Sequence, residues 1–430
     1  MRVEKKGISS QKAKAIKSFR RHVSSGKVDF FKTFGMDLVM GNREGVFLED
    51  MDGHKKLFNL HCNGGVFNLG HRNPELIALL KDSLDRFDIG NHHLMSRMRA
   101  DLAEQIAELM PGDLDYTVFG VSGGEAVDLA IKVARAWSGH AKIVSAKGGY
   151  HGHTGLAVAT GDSRYSKPFG VPTAGFVQIP FGDLTALESA VEGDTAAVIL
   201  ETVPATMGIV VPNRDYLPAV RELCSRKGVL LILDEVQTGL GRTGRLWGFE
   251  HYGVVPDMVV LGKGLSGGLY PITATVLRAP LEKVFHEDPF IHISTFGGAE
   301  PGCCVAGRVL KISSDPAFLH RVNALAVDFR NCVTALQAKY ADFLIGFRQL
   351  GLMMGLVFKG DISGQVVSKT AYDNDLLMVY ANNDPSVCQL LPPLTMDSSR
   401  MAWVAERLDR AIAAARQLSN ISSGDGENRG

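Results

Sequence analysis

Residues 229–244 read VLLILDEVQTGLGRTG, in which an apolar run meets an acidic pair and is followed by a glycine-rich segment. Gly239, Gly241 and Gly244 have the spacing of a dinucleotide-binding fingerprint, but that fingerprint runs from a strand directly into its first glycine and then opens a helix. Here DEVQT intervenes, and the following RLWGFEHYG is not a clean amphipathic helix. A glycine-rich connecting loop fits better, and Asp234, at the end of the predicted strand, becomes the informative residue.

Short apolar runs recur on both sides of this stretch and alternate with helix-like segments. From about residue 114 they read YTVFGV, AKIVSA, AAVILE, VLLILD and MVVLG. The alternation predicts an α/β fold in which a mostly parallel central sheet is flanked by helices. Ligands of such sheets bind beyond the carboxyl ends of the strands, so the residues that follow each apolar run are candidates for a functional site.

The two ends of the chain predict a second, smaller α+β domain formed from both termini. Residues 37–60 have the pattern of short strands joined by turns. After about residue 315 a long helical pattern is followed by short strands and a final helix. The predicted boundaries are an N-terminal arm and part of the small domain at 1–65, a large domain at 66–318, the rest of the small domain at 319–418 and a flexible tail at 419–430.

The composition narrows the class of partner. The 430 residues include 46 Lys+Arg and 46 Asp+Glu, so there is no net charge to attract nucleic acid. No apolar run is long enough to span a membrane. The six cysteines form no C-x-x-C pair, which argues against a zinc site or a disulfide framework and favours a reducing compartment. We therefore expect no metal, no membrane and a cytoplasmic location. The basic N-terminus, which can be typical of a transit peptide, is interpreted as a solvated helix or a partner-docking arm.

Further strand ends carry candidate residues. Lys263 lies between two glycines, which leave room for its ammonium group to approach a bound group. Ser122 is a plausible helix N-cap, and Gly123 and Gly124 leave N–H groups free for an anion such as phosphate. Tyr150, in GGYHGHTG, offers a flat aromatic face. Taken singly, these features are ordinary: a surface lysine, a capped helix and an aromatic residue in a loop.

Taken together with Asp234, these residues suit pyridoxal 5′-phosphate. A lysine can form a Schiff base with this cofactor, and a carboxylate can pair with its pyridinium nitrogen so that the ring acts as an electron sink. A helix N-terminus can hold the phosphate.

The order and spacing of longer motifs resemble the class III pyridoxal-phosphate-dependent aminotransferases, the ornithine, acetylornithine, 4-aminobutyrate and omega-amine group, over about residues 35–420. The matching motifs are NLGHRNPE, SGGEAVDLAIKVAR, YHGHTG, LILDEVQTGLGRTG, PDMVVLGKGLSGGLYPI, STFGG and LLPPLT. Asp234 and Lys263 are 263 − 234 = 29 positions apart, as the family pattern requires. The resemblance implies fold type I of these transferases and a ping-pong aminotransferase. Its donor would be an amine, an omega-amino compound or an amino acid, and its acceptor a 2-oxo acid or an aldehyde.

The resemblance also implies roles for individual residues. Lys263 and Asp234 would be catalytic, Lys263 as the Schiff-base lysine that also moves the proton. Gln237 would lie near the phenolic oxygen of the cofactor, and Thr295 would reach the phosphate in the other subunit of a homodimer with shared active sites. The glycine-rich loop would be a turn on the substrate side. The implied cofactor-binding residues are Ser122, Gly123, Gly124, Tyr150, His151, Glu201, Asp234, Gln237, Lys263 and Thr295.

The sequence departs from the family pattern at three places. The phosphate loop at 121–125 reads VSGGE where the family usually has Asn-Ser-Gly-Ser/Ala-Glu, and TVPAT replaces the usual proline and glycine-rich turn after Glu201. Gln389 stands three positions before the first proline of LLPPLT, where many amino-acid-type members carry an arginine that grips the α-carboxylate. This change favours an amine, an omega-amino compound or an unusual acceptor, unless Arg164 or Arg242 replaces that arginine. The candidate substrate contacts are Gln389 and Arg242.

Other functions remain open at this point. Racemases, decarboxylases and aminomutases share the scaffold, because the pocket decides which bond of the substrate breaks. A non-catalytic cofactor-binding module, such as the sensor half of a regulator, would carry an added DNA-binding domain, for which the residues before 35 are too few. A dehydrogenase would need a bound nicotinamide and would leave Lys263 without a role.

Overall fold

The computed structural model describes residues 9–89 and 93–424, with only the backbone described for residues 420–424. The strands are β1 Met40–Glu44, β2 Phe47–Asp50, β3 Lys56–Asn59, β4 Leu114–Gly120, β5 Lys142–Ala146, β6 Phe176–Ile179, β7 Thr195–Glu201, β8 Leu230–Asp234, β9 Met258–Leu261, β10 Thr273–Arg278, β11 Leu344–Leu350, β12 Met353–Phe358, β13 Leu376–Leu377, β14 Val379–Ala381 and β15 Asp384–Leu390. The helices are α1 Ser10–His22, α2 Ser25–Thr33, α3 Cys62–Gly65, α4 Pro74–Leu84, α5 Arg97–Leu109, α6 Gly123–Ser138, α7 Gly155–Thr160, α8 Ser163–Ser166, α9 Leu184–Ala190, α10 Tyr216–Lys227, α11 Glu300–Ser313, α12 Pro316–Lys339, α13 Ser363–Asp373 and α14 Met401–Gly424.

The central sheet has the strand order β4-β10-β9-β8-β7-β5-β6. Strands β6, β5, β7, β8 and β9 pair in parallel, and β10 is antiparallel to both β9 and β4. The predicted mostly parallel α/β sheet is therefore confirmed. Strands β6 and β10 were not predicted from the sequence. Strand β10 returns beside β9 without the long crossover that parallel strands need.

Burial on both faces explains why the strands of this sheet read as continuous apolar runs. Every residue of β7 is buried, and so is β8 from Leu231 onwards. One face is covered by α6, whose residues Val127, Ile131 and Ala134, the positions predicted from their helical spacing, are fully buried. Burial of such side chains contributes roughly 1.5–3 kcal/mol each for the larger ones.

The register of the central strands brings their polar ends together. Glu201, the last residue of β7, pairs with Asp234, the last residue of β8, and Asp234 in turn pairs with Val260 on β9. The chain segments that leave these strands therefore begin side by side at one edge of the sheet, as parallel strands require.

Two smaller sheets, β11-β12-β15-β14 and β1-β2-β3-β13, form the second unit. In the latter, Leu376 of the C-terminal region pairs in parallel with Phe58 of the N-terminal region. This pairing confirms a smaller α+β unit built from both ends of the chain, while the numerical domain boundaries remain predictions. Helix α14 continues to Gly424, so the chain is helical over 419–424, where the flexible tail was predicted; the rest of that tail lies outside the described residues.

The basic N-terminal segment is helical from Ser10 onwards. Lys12 is buried against the sheet that contains β1, β2, β3 and β13, where its Nζ lies 2.8 Å from Oδ2 of Asp50, the last residue of β2. The first basic positions, Lys5 and Lys6, lie outside the described residues. Throughout the part of the chain that the structure describes, no helix has the length and apolar character needed to cross a membrane.

Candidate active site

A cavity of about 360 Å³ opens at the carboxyl edge of the central sheet. It is lined by Ser122, Gly123, Gly124, Tyr150, His151, Gly152, His153, Thr154, Glu201, Val203, Asp234, Val236, Gln237, Thr238 and Lys263. Nine of the ten cofactor-binding residues predicted from the sequence are thus brought together; Thr295 is not among the lining residues. This convergence follows from the strand register, because each segment leaves its own strand at the same edge.

Asp234 and His151 form a buried pair in the floor of the cavity. His151 Nδ1 lies 2.8 Å from Asp234 Oδ2 and donates to it, since an ionised carboxylate can only accept. The other carboxylate oxygen of Asp234 accepts from the backbone N–H of Val236 at 3.0 Å. Burial lowers the pKa of His151, but the hydrogen bond and charge of Asp234, with a smaller contribution from Glu201, outweigh it and raise the pKa above its usual value. The site therefore favours a positively charged group beside Asp234.

Lys263 enters the cavity from the turn that follows β9. Its Nζ donates to Gln237 Oε1 at 3.1 Å. Its φ is +42°, a left-handed conformation that is uncommon for a residue with a side chain. Burial lowers the pKa of Lys263, and the carboxylates of Asp234 and Glu201 offset part of this effect. A larger fraction of its amine is therefore neutral, and so nucleophilic and basic, than in an exposed lysine.

The start of α6 forms an anion cradle on the cavity wall. Ser122 is the N-cap, and its hydroxyl oxygen accepts from Glu125 N at 3.3 Å. The Glu125 carboxylate accepts from Val121 N at 2.7 Å, which occupies the donor just before the helix. The N–H groups of Gly123 and Gly124 have no acceptor within an α-helix, and both residues line the cavity, so these N–H groups are available to an anion there.

Glu201 and Tyr150 also line the cavity. The Glu201 carboxylate accepts from the backbone N–H of Tyr150 at 2.9 Å and from that of Ala205 at 3.3 Å. Burial raises the pKa of Glu201 to about 7. The Tyr150 ring lies 5.0 Å from the ring of His153, which continues the aromatic wall towards Tyr165 at 4.6 Å. A flat ligand can therefore contact Tyr150 while it stays close to Asp234.

A loop that the sequence analysis did not single out also reaches the cavity. Cys62, Asn63 and Gly64 have φ values of 51°, 49° and 67°, so the chain turns sharply there. A Cβ atom at Gly64 would lie 3.3 Å from Lys263 Cε and 3.6 Å from Gln237 Nε2. Glycine therefore leaves room for the lysine, and the adjacent glycines of HCNGG are the only sequence signal of this approach.

Asp234 and Glu235, the acidic pair at the end of β8, have different surroundings. Glu235 points away from the cavity and accepts from Gly248 N at 2.7 Å, from Phe249 N at 3.1 Å and from the Thr202 hydroxyl. Gly241 and Gly244 face the side chains of α12, among them Asn323, and no α-helix follows the loop. The segment is therefore a connecting loop, as the sequence analysis favoured over a dinucleotide-binding turn. None of its three glycines is among the residues that line the cavity, and the position of the loop on the substrate side stays a prediction.

The predicted substrate contact Arg242 is wrong. Its side chain is fully buried outside the cavity, where it donates to Leu352 O at 3.0 Å, Pro392 O at 2.7 Å and Asn68 Oδ1 at 2.6 Å. The guanidinium group of Arg242 therefore joins the three chain segments that carry these acceptors, and it is not available to a ligand in the cavity.

Gln389 and Arg164 are not among the residues that line the cavity. Gln389 is buried on β15, on the same strand face as Val387, which contacts the chain that follows β7 at Gly208. Arg164 is exposed, and its Nη2 donates to Asn382 O at 2.9 Å and to Asn383 Oδ1. Thr295 is exposed and outside the cavity of its own chain.

The residues present fit pyridoxal 5′-phosphate. The glycine cradle at α6 offers backbone donors to a phosphate, Asp234 can pair with a protonated ring nitrogen, and Tyr150 provides an aromatic face. Lys263 supplies an amine in the same cavity. The described residues contain no group of three or more His, Cys, Asp or Glu that could hold a metal ion.

Comparison with known proteins agrees with this fit. The family model for class-III aminotransferases matches residues 33–412. An uncharacterized aminotransferase of Archaeoglobus fulgidus is 53% identical over 406 residues, covering 94% of this chain and 95% of that protein. The putrescine aminotransferase of Pectobacterium atrosepticum is 35% identical over 405 residues, covering 90% and 86%. The ornithine aminotransferase from Toxoplasma gondii, in a structure with partial occupancy of pyridoxal phosphate at its active site, has a TM-score of 0.84 at 27% identity and covers 96% of this chain and 99% of that chain.

Proposed function

Because this chain belongs to the class-III aminotransferase family, whose members use pyridoxal phosphate, we propose that its cavity transfers the amino group of a primary amine or omega-amino compound to a 2-oxo acid or an aldehyde. The observation that carries the proposal is that Lys263, Asp234 and the N-terminus of α6 line one cavity. The family and both named relatives favour transamination over racemisation or decarboxylation.

When bound, pyridoxal phosphate would supply a carbonyl carbon for a covalent bond to a lysine and a ring that serves as an electron sink. Lys263 would hold that carbon through its amine. When a substrate amine displaces the lysine from that carbon, the freed Lys263 amine could take a proton from the substrate carbon and return it. Asp234, oriented by His151 at 2.8 Å, stabilises positive charge on the ring nitrogen. Gly123 and Gly124 would bind the phosphate with backbone N–H groups, and Tyr150 and Val236, which line the cavity, would contact the ring. Gln237 is within hydrogen-bond distance of Lys263.

The choice of donor rests on the charges around the cavity. Among the described residues that line it there is no arginine, and Gln389 occupies the position at which the family resemblance implies an arginine that binds a carboxylate in many amino-acid-type members. Arg242 cannot substitute because it is buried among backbone carbonyls. A donor without an α-carboxylate therefore suits this chain, and the 35% identical putrescine aminotransferase supports a diamine such as 1,4-diaminobutane.

We also propose that the active unit is a homodimer with shared sites. Thr295 lies in an exposed apolar segment in which Phe290 and Ile291 are each 59% exposed and Ile293 and Phe296 are each 48% exposed. Such a patch is typical of a surface covered by another chain. A second copy seated there would bring Thr295 towards its neighbour's cavity. The cytoplasmic location is also a proposal, supported by six free cysteines.

The experiment that tests the function is a visible absorption spectrum of the protein with pyridoxal phosphate, recorded before and after addition of 1,4-diaminobutane, L-ornithine or L-alanine. We expect a visible band that bleaches with 1,4-diaminobutane and is restored by a 2-oxo acid. A band that persists with every donor would contradict transamination and favour the racemase or decarboxylase alternatives. No band at all would show that the cavity does not bind the cofactor through Lys263.

A further inference from the structure

Thr154 fills the space that a side chain at position 124 would occupy. A Cβ atom added to Gly124 would lie 2.5 Å from Thr154 Oγ1 and 3.2 Å from Thr154 Cγ2. The loop that carries Thr154 also crosses close over the start of α6, because a Cβ atom at Gly152 would lie 2.6 Å from Gly124 Cα. Both glycines are therefore required for this approach, and it brings the Thr154 hydroxyl to the anion cradle.

The hydroxyl of Thr154 does not cap the helix that it precedes. Thr154 precedes α7 at the N-cap position, where a threonine hydroxyl usually accepts from a backbone N–H, but its side chain makes no capping hydrogen bond. It is one of the residues that line the cavity, together with Gly123 and Gly124. A side-chain donor thus stands beside the free N–H groups of α6.

We propose that the Thr154 hydroxyl donates a hydrogen bond to the cofactor phosphate and replaces the side chain that Gly124 lacks. The inference rests on the proposed function, because it assigns one more residue to the same site. Hydrogen bonds to a charged group are stronger than neutral ones, so the contribution to cofactor affinity is measurable.

The first test compares Thr154→Val, which exchanges the hydroxyl for a methyl group of similar size, with Thr154→Ser, which keeps the hydroxyl. Dissociation constants of the apoprotein are measured for pyridoxal 5′-phosphate and for pyridoxal, which has the same ring and no phosphate. We expect Thr154→Val to raise the Kd for pyridoxal phosphate on the order of tenfold. Its Kd for pyridoxal and the affinity of Thr154→Ser should stay close to wild type. Equal affinity of Thr154→Val and wild type for pyridoxal phosphate, or an equal loss for both ligands, would overturn the inference.

The second test removes the hydroxyl from position 154 and places one at position 124 instead. Gly124→Ser alone should weaken binding of pyridoxal phosphate, because its Cβ meets Thr154 Oγ1 at 2.5 Å. Gly124→Ser combined with Thr154→Ala should recover most of the affinity, since the nearest remaining atom, Thr154 Cβ, lies at 3.4 Å and the serine supplies a hydroxyl. If the double variant binds pyridoxal phosphate more weakly than Thr154→Ala alone, a hydroxyl at position 124 does not replace that of Thr154, and the inference is contradicted.

Titration with inorganic phosphate separates this inference from the proposed function. If wild type binds phosphate more tightly than Thr154→Val does but no donor bleaches a visible band, the Thr154 contact stands and the aminotransferase proposal fails. If donors bleach the band and the two proteins bind phosphate equally, the function stands and the Thr154 contact fails. Thermal unfolding of each apoprotein confirms that the variants are folded.

Discussion

His151 Nδ1 lies 2.8 Å from Asp234 Oδ2, and the second ring nitrogen of His151 is buried with no hydrogen-bond partner in the described part of the chain. Asp234 is in register with Glu201 on the neighbouring strand, so the imidazole lies among the carboxylates at the end of the sheet. Since the imidazole fixes one carboxylate oxygen and Val236 N the other, the pair holds Asp234 in one orientation towards the cavity.

Replacement of Asp234 tests this orientation. Asp234→Asn keeps the shape but removes the negative charge, so we expect the pKa of His151 to fall and the rate of the donor half-reaction to fall on the order of 10²-fold. Single-turnover absorbance and NMR titration of His151 measure the two effects. Asp215→Asn, at an exposed position before α10, is the matched control. A wild-type rate in Asp234→Asn would show that the carboxylate does not act on the reacting group.

Lys263→Ala should abolish both the visible band and amino transfer, because no other lysine lines the cavity among the described residues. Lys227→Ala, which removes an exposed lysine at the end of α10, should leave both unchanged. Borohydride reduction followed by peptide mass analysis measures which lysine carries the cofactor. Label on a lysine other than Lys263 in wild type would refute the assignment.

Gln389→Arg tests the substrate class. A guanidinium on this strand face would offer a bidentate partner to a carboxylate, so we expect kcat/KM for an α-amino acid donor to rise on the order of tenfold and that for 1,4-diaminobutane to fall. Arg164→Ala is measured in parallel, since Arg164 is the remaining arginine that the sequence analysis named. If Gln389→Arg changes neither donor and Arg164→Ala abolishes amino-acid turnover, carboxylate recognition belongs to Arg164.

Shared sites predict complementation between inactive subunits. Thr295→Glu should repel the phosphate of the neighbouring cavity, and Lys263→Ala inactivates its own. In a mixed dimer one cavity has both wild-type residues, so mixing the two variants should restore activity that neither shows alone. The two variants are refolded together, and the activity and the pyridoxal phosphate content are measured per dimer. If verified mixed dimers show no restored activity, Thr295 does not contribute to the cavity of the partner subunit.

The raised pKa of Glu201 predicts how stability depends on pH. Its usual value of 4.5 applies to the unfolded chain and about 7 to the folded chain, so between these values the folded state binds more protons. The contribution of Glu201 to the free energy of unfolding is therefore fully present below about pH 4.5 and falls as the pH rises towards 7. Glu201→Gln should remove this fall, at most about 3 kcal/mol. Denaturant unfolding of both apoproteins at several pH values measures the free energy of unfolding. If this free energy changes with pH in the same way in wild type and Glu201→Gln, the raised pKa of Glu201 is contradicted.

The sequence predicted the residues of the site better than their surroundings. Lys263, Asp234 and Tyr150 follow apolar runs, and the rule that parallel strands end at one edge suffices to bring them together. The proximity of Gly64 to Lys263 and of Thr154 to Gly124 could not be predicted, because each depends on loops whose path is set by packing. Arg242 was misjudged for a related reason, since a charged residue in a glycine-rich loop gives no sign that backbone carbonyls of distant segments will surround it.

The buried guanidinium of Arg242 also has a consequence for how the protein is made. Its hydrogen bonds reach Asn68, Leu352 and Pro392, which are 174, 110 and 150 positions away in the chain. During synthesis on the ribosome, residue 392 emerges 129 positions after Lys263 (392 − 263 = 129). The loop that leads from Asp234 to Arg242 therefore reaches its final position only after residue 392 has been added, and a nascent chain that ends before it would carry the reactive residues without the arrangement that positions them.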